Sequence, residues 1–280
     1  MNPVPTVFFP PAPLPAAEAA LPTTAVADPL RLVYSSQEIA TKTSLIGDML
    51  ARVSTHYTGP NFESLHPDDL QFIFGLYDAL FFGHWLERTI GVKSRQPISF
   101  RLSSTMTSAG GKTILTRRRT PFGRTDEYEI AISGHLLFTN FRDSRRPVSV
   151  GGLVCPDRLS ALQRIMEHEI IHLLEMLSDG KSSCARPQFK MLIANIFGHC
   201  EPQHSLITPR ERAATEHAIR IGGLVEFEFK GNLMRGRVNR ISHRATVLVQ
   251  AAEGQEYSDG HRYRKYYIPL KMLRPVPVAL

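Results

Sequence analysis

The stretch "MEHEIIHLLEML" (166–177) limits the fold of this chain more than any other. Leu159, Leu162, Met166, Ile170, Leu173 and Leu177 recur at the spacing of one buried helical face. Asp157 is placed to cap the N-terminus and Asp179-Gly180 to stop the helix, so a helix over 157–178 is expected. On it, His168-Glu169-Ile170-Ile171-His172 spells H-E-x-x-H. Positions i and i+4 stand about 40° apart around a helix axis, so both imidazoles can address one point.

Neutral imidazoles suit Zn²⁺, which can polarise a bound water, and Glu169 can take that water's proton and return it to a leaving amine. The plain alternative is an amphipathic helix that happens to carry two of the chain's 11 histidines. A zinc hydrolase needs three protein ligands, and the motif supplies two. In metzincins a glycine and a third histidine follow; here Glu175 and Ser178 occupy those positions. Gluzincins take a glutamate from a later helix, and the nearest candidate, Glu201, lies beyond a helix stop.

The remaining periodicity is that of an α+β chain. Ser35-Ser36-Gln37-Glu38 reads as a capping box ahead of a helix with Ile39, Ile46, Leu50 and Val53 on one face. Pro67 opens a second helix carrying Leu70, Ile73, Phe74, Tyr77, Leu80 and Phe81. Strands are expected in "PISFRLSS" (97–104), "KTILTRRR" (112–119) and "YEIAIS" (128–133), and a last helix from Pro187 to Phe197, stopped by Gly198. Residues 1–30 are Pro- and Ala-rich without periodicity and are expected to be disordered.

From residue 221 the pattern changes. Val225/Phe227/Phe229, Val238/Ile241, Val247/Val249 and Tyr267/Ile268 sit in short segments separated by Gly231-Asn232, Gly254 and Asp259-Gly260. That spacing suggests a small five-stranded SH3-like barrel. Ten Lys/Arg stand here against five Asp/Glu, and the whole chain carries a net charge of +7. "HRYRKYY" (261–267) interleaves Arg262, Arg264 and Lys265 with tyrosines, and Arg235, Arg237, Arg240 and Arg244 precede it. Alternation would gather many of these on one barrel face, suited to DNA or RNA backbone phosphates and unstacked bases without sequence preference. Outward arginines on an ordinary barrel are the competing reading.

No apolar run reaches membrane-spanning length, and a secretory signal is not expected, since no Lys or Arg precedes the proline-broken N-terminal apolar stretch. Cys155, Cys184 and Cys200 cannot build a disulfide framework, which fits a reducing compartment; a cytoplasmic chain is expected.

Over residues 64–200 the chain resembles the SprT-like metalloproteases, which include the Spartan proteases that cut DNA-bound proteins. The resemblance lies in the H-E-x-x-H helix, in "LYDALFFGHWLE" (76–87), in "RLSSTMTSAGGKT" (101–113) and in "YEIAISGHLL" (128–137). It implies a zincin-like domain over 31–205, with helices packed on a small antiparallel sheet; the linker (206–220) and the basic barrel (221–280) after it are read from the change of pattern. It implies a zinc-dependent endopeptidase in which His168 and His172 hold the metal and Glu169 is the general base. The family's third ligand is a histidine in H-G-x-x-F/W. Counted back from Phe189 that position is Ala185, which has no ligand atom. Cys184 beside it, or His199 or His204 further on, remain as candidates. Glu175 or Asp179 could receive the free N–H of a ligand imidazole. The competing function is a degenerate SprT-like chain that binds nucleic acid or protein without catalysis.

Overall fold

The computed structural model describes residues 28–94, 96–120, 123–141, 147–201 and 205–277. Most of the expected disordered segment lies outside these residues. Its end does not: Asp28 accepts from Leu30 N and caps a 3₁₀ turn, Pro29–Arg31.

The first helix, α1 (Ser36–Val53), opens with the expected capping box, in which Ser35 and Glu38 satisfy each other's main-chain N–H groups. Helix α2 (Pro67–Tyr77) runs into a π-helical turn, Asp78–Phe82, and ends at Gly83 in the left-handed region. Asp78 then accepts from Leu86 N and Glu87 N at 2.9 Å each, which caps α3 (Trp85–Lys93).

Three strands follow: β1 (Ser99–Ser103), β2 (Gly111–Thr120) and β3 (Gly123–Ser133). The expected antiparallel sheet is corrected here. Its order is β1-β3-β2, with β2 antiparallel and β1 parallel to β3. The chain leaves β1, crosses the end of the sheet to its far edge, and returns as β3 in the gap. Ser133 holds that crossing, its N–H bonded to Gly110 O and its hydroxyl to Met106 O. A short helix α4 (Gly134–Asn140) and a hairpin of β4 (Val148–Val150) and β5 (Leu153–Cys155) lead to α5 (Arg158–Asp179).

Helix α5 packs against β2, β4 and the next helix, α6 (Pro187–Phe197). Its buried stripe joins Tyr77, Phe81, Phe82 and Phe197 in a core that runs from Ile39 to Leu206. Truncating one such aromatic to Ala costs about 3–5 kcal/mol.

A second core, from Ala213 to Leu273, belongs to the C-terminal part. The stretch 206–220, expected as a linker, is partly structural. Leu206 packs in the first core, and α7 (Pro209–His217) sends Ala213 into the second. Strands β6 (Leu224–Phe229), β7 (Asn232–Ile241), β8 (Ala245–Glu256), β9 (Arg262–Ile268) and β10 (Arg274–Pro275) form an antiparallel sheet in the order β10-β6-β7-β8-β9. No pairing between β9 and β10 closes it among the described residues. The three-residue step from Val238 to Ile241 is a bulge in β7, which returns Ile241 to the core side. The two parts touch where His243 Nε2 lies 2.7 Å from Ser104 O. The chain is thus mixed α+β with a five-stranded antiparallel sheet after it. No helix of the described residues is long and apolar enough to cross a membrane.

Candidate metal centre

Helix α5 is fixed at both ends by local chemistry. Asp157 accepts from Ser160 N at 2.8 Å, and Gly180 takes the left-handed conformation (φ 71°) that stops it. Ile170, Leu173 and Leu177 face the core, which turns His168 and His172 toward α6. Phe189 of α6 packs on both imidazoles, with ring centroids 4.9 and 4.5 Å away.

The two Nε2 atoms lie 3.1 Å apart. Cys184, in the loop between α5 and α6, completes a group whose ligand atoms all lie within 4.8 Å of one another. A tetrahedral zinc with Zn–N of about 2.05 Å and Zn–S of about 2.3 Å needs N···N near 3.3 Å and N···S near 3.6 Å. Burial pushes His172 down to about 4, so its imidazole is neutral and has a lone pair to give. The donor set and the neutral imidazole suit a zinc ion. The 3.1 Å between the nitrogens is near the N···N value, while the 4.8 Å limit of the whole group exceeds the N···S value.

The other candidates lie elsewhere. His199 is buried, with Nε2 2.7 Å from Glu167 Oε2. Glu167 also accepts from the Tyr77 hydroxyl at 2.8 Å and from Arg164 at 2.9 Å. His199 is therefore part of a buried polar network, fitted so closely under Gly151 that a Cβ there would lie 2.2 Å from Nδ1. His204 lies outside the described residues. Asp78, His84 and Glu87 also converge, but both Asp78 oxygens are engaged as the cap of α3.

Glu169 is 3% exposed and sits against the start of β2. The single hydroxyl proton of Thr113 is shared between Glu169 Oε2 and the Glu169 main-chain oxygen, each 2.8 Å away. A Cβ on Gly111 would lie 2.7 Å from Glu169 Oε1, so the strand must begin with glycine to admit the carboxylate. Burial pushes Glu169 up to about 7, against the opposing pull of the Thr113 hydrogen bonds. Both imidazoles, Cys184 and Glu169 line one cavity of about 520 Å³, walled by Lys112, Val150 and Met176.

Glu175 reaches an imidazole through a residue that sequence reasoning missed. His172 Nδ1 lies 2.7 Å from Ser182 Oγ, which donates to Glu175 Oε2 at 2.5 Å. The Asp179 carboxylate lies 3.7 Å from Arg186. Ser182 follows a helix stop, where no periodicity connects it to His172.

The basic residues of the C-terminal sheet do not share one face. Cross-strand partners lie on the same side, so Arg237 and Lys265 flank the buried Leu248 on the side away from the second core, and Arg240, Thr246 and Tyr267 form another row there. Arg235 is also outward, 3.9 Å from Glu226, and Arg244 is exposed in the β7–β8 turn. Arg262 and Arg264 have the parity of Tyr266 and Ile268 on the opposite side, and pair with Glu256 at 3.9 Å and Glu253 at 2.6 Å. Arg235, Arg237, Arg240 and Lys265 thus share the side away from the second core, whereas strand alternation puts Arg262 and Arg264 on the other.

No family model, curated protein or solved structure matches this chain.

Proposed function

We propose that this chain is a zinc-dependent endopeptidase of SprT-like type, with a zincin-like domain over 31–205 and an SH3-like C-terminal module. Its substrates are proteins associated with DNA or RNA, and its compartment is the cytoplasm. The observation that carries this reading is one cavity lined by three converging ligand atoms, from His168, His172 and Cys184, and by the buried carboxylate of Glu169.

Zinc held by those residues supplies Lewis-acid polarisation and acidifies a water. Glu169, pushed up to about 7, has a proton affinity matched to neutral pH. It takes a proton from the attacking water as the oxygen bonds to the peptide carbonyl carbon, and gives it to the nitrogen as the C–N bond breaks. Thr113 occupies Oε2, which leaves Oε1 to carry that proton. Phe189 packs against both imidazoles and keeps water from their faces. The outward Arg237, Arg240 and Lys265, with Tyr267, supply cations and one aromatic platform for a nucleic-acid backbone.

The test is metal content beside cleavage of an unfolded protein, with and without DNA. Glu169→Gln is expected to keep zinc and lose about 10²–10⁴-fold in rate, the range of a general base. His168→Ala is expected to lose the metal. Unchanged cleavage by Glu169→Gln ends the protease reading. A zinc-free chain that binds DNA in a salt-dependent way would instead be a non-catalytic binding module, a reading that Ala185 at the family's histidine position favours.

A further inference from the structure

The geometry points to Ser182 as a positioning residue: it selects the Nδ1–H tautomer of His172 and ties the Cys184 loop to α5. This rests on the metal-centre reading, but it concerns protons and contacts present in the chain itself.

A serine hydroxyl has one proton to give and lone pairs to receive. Ser182 gives its proton to Glu175 Oε2, at 2.5 Å. Its oxygen can then meet His172 Nδ1, 2.7 Å away, only as an acceptor, so Nδ1 must carry the hydrogen. At the other side of the ring, His172 Nε2 faces His168 Nε2 at 3.1 Å. Two N–H groups cannot point at each other across that distance, so one nitrogen must be bare. With Nδ1 protonated in a neutral ring, it is His172 Nε2. The lone pair of His172 is thus aimed at the point where His168 and Cys184 converge. A free histidine side chain prefers the other tautomer, which would place a hydrogen there.

The same hydroxyl acts on the loop. Glu175 is fully buried at the side chain and holds the loop at two places: Ser182 on Oε2, and Arg186, 3.7 Å from Oε1. At the loop's start, Arg117 Nη2 donates to Gly180 O at 2.6 Å. Cys184 lies between the two Glu175 contacts, so its position relative to the imidazoles depends on them. Removing the Ser182 hydroxyl leaves a buried carboxylate oxygen and an imidazole nitrogen without partners and frees the middle of the loop. Outer hydrogen bonds of this kind orient a ligand and raise its affinity for metal.

The experiment uses the full chain with uniformly ¹⁵N-labelled histidine, stripped of metal, its fold checked by near-ultraviolet circular dichroism. Long-range ¹H–¹⁵N spectra report which nitrogen of His172 is protonated. The parent should show Nδ1–H, Ser182→Ala should lose it, and Ser182→Thr, which keeps the hydroxyl, should restore it. Zinc affinity, measured against a competing chelator, should fall about 10–100-fold in Ser182→Ala and stay near the parent value in Ser182→Thr. With cobalt(II), the thiolate-to-metal absorption should weaken in Ser182→Ala. An Nε2–H tautomer in the parent overturns the assignment, as do an unchanged tautomer and affinity in Ser182→Ala. A chain that takes up no zinc ends the metal-centre reading, whereas the metal-free spectra still decide the role of Ser182.

Discussion

The hydroxyl of Thr113 lies 2.8 Å from both the main-chain oxygen and the Oε2 carboxylate oxygen of Glu169. It joins the edge strand β2 to the middle of α5, and it is the polar contact that opposes the effect of burial on Glu169. Burial prevails, and the carboxyl rises to about 7.

That rise makes stability depend on pH. An ordinary glutamate titrates near about 4.3, so from there to about 7 the folded chain holds a proton that the unfolded chain has lost. The contribution is fully present below that window and falls as pH rises through it, by up to about 4 kcal/mol. In the metal-free chain, Glu169→Gln should be more stable than the parent at pH 8 and equal to it near pH 4.5. Denaturant melts at the two pH values measure this, and a pH-independent difference would count against a buried, protonated Glu169.

Thr113→Val keeps the shape and removes the hydrogen bonds that hold the carboxylate charged. Glu169 should then rise further, and the acid limb of the pH–rate profile should move to higher pH. The measurement is kcat/KM against pH for parent and variant; coincident acid limbs would dissociate Thr113 from the base.

Cys184 and His199 separate cleanly. Cys184→Ala removes one of three converging ligand atoms and should abolish tight zinc binding with little loss of fold. His199→Ala removes a buried donor to Glu167 and leaves a cavity, which costs about 2–4 kcal/mol. Its zinc content should not change. Metal analysis and thermal melts on both variants decide the matter, and loss of zinc from His199→Ala alone would reverse the assignment.

On the C-terminal sheet, Arg237→Ala and Lys265→Ala should each lower the slope of log affinity for DNA against log salt by about one. Arg262→Ala and Arg264→Ala should change it little, since these cations already face Glu256 and Glu253. Equal losses from all four would mean that the sheet is not read from its outer face.

Much of the local structure was legible in advance. Capping by Ser35, Asp157 and Gly180, and the apolar stripes of α2, α5 and α6, are set by residues within a few positions of one another. The parallel pairing of β1 with β3 was not, because two segments of similar alternation pair in either direction and only the crossing loop decides. The bulge at Val238–Arg240 was hidden in the same way, by register, whereas alternation along one strand is enough to divide Arg262 and Arg264 from Lys265.

By itself the sequence determined that two imidazoles and a carboxylate ride one turn of a buried helix, since helical geometry acts over four residues. Only the tertiary structure decided what meets them. Cys184 and Ser182 arrive on a loop whose course depends on Arg117, Glu175 and Arg186, while His199 is drawn away by Glu167 and Gly151. The contacts of Arg117, Glu167 and Gly151 join segments far apart in the chain, and those of Glu175 bridge the irregular turn between α5 and α6, where no helical or strand period applies.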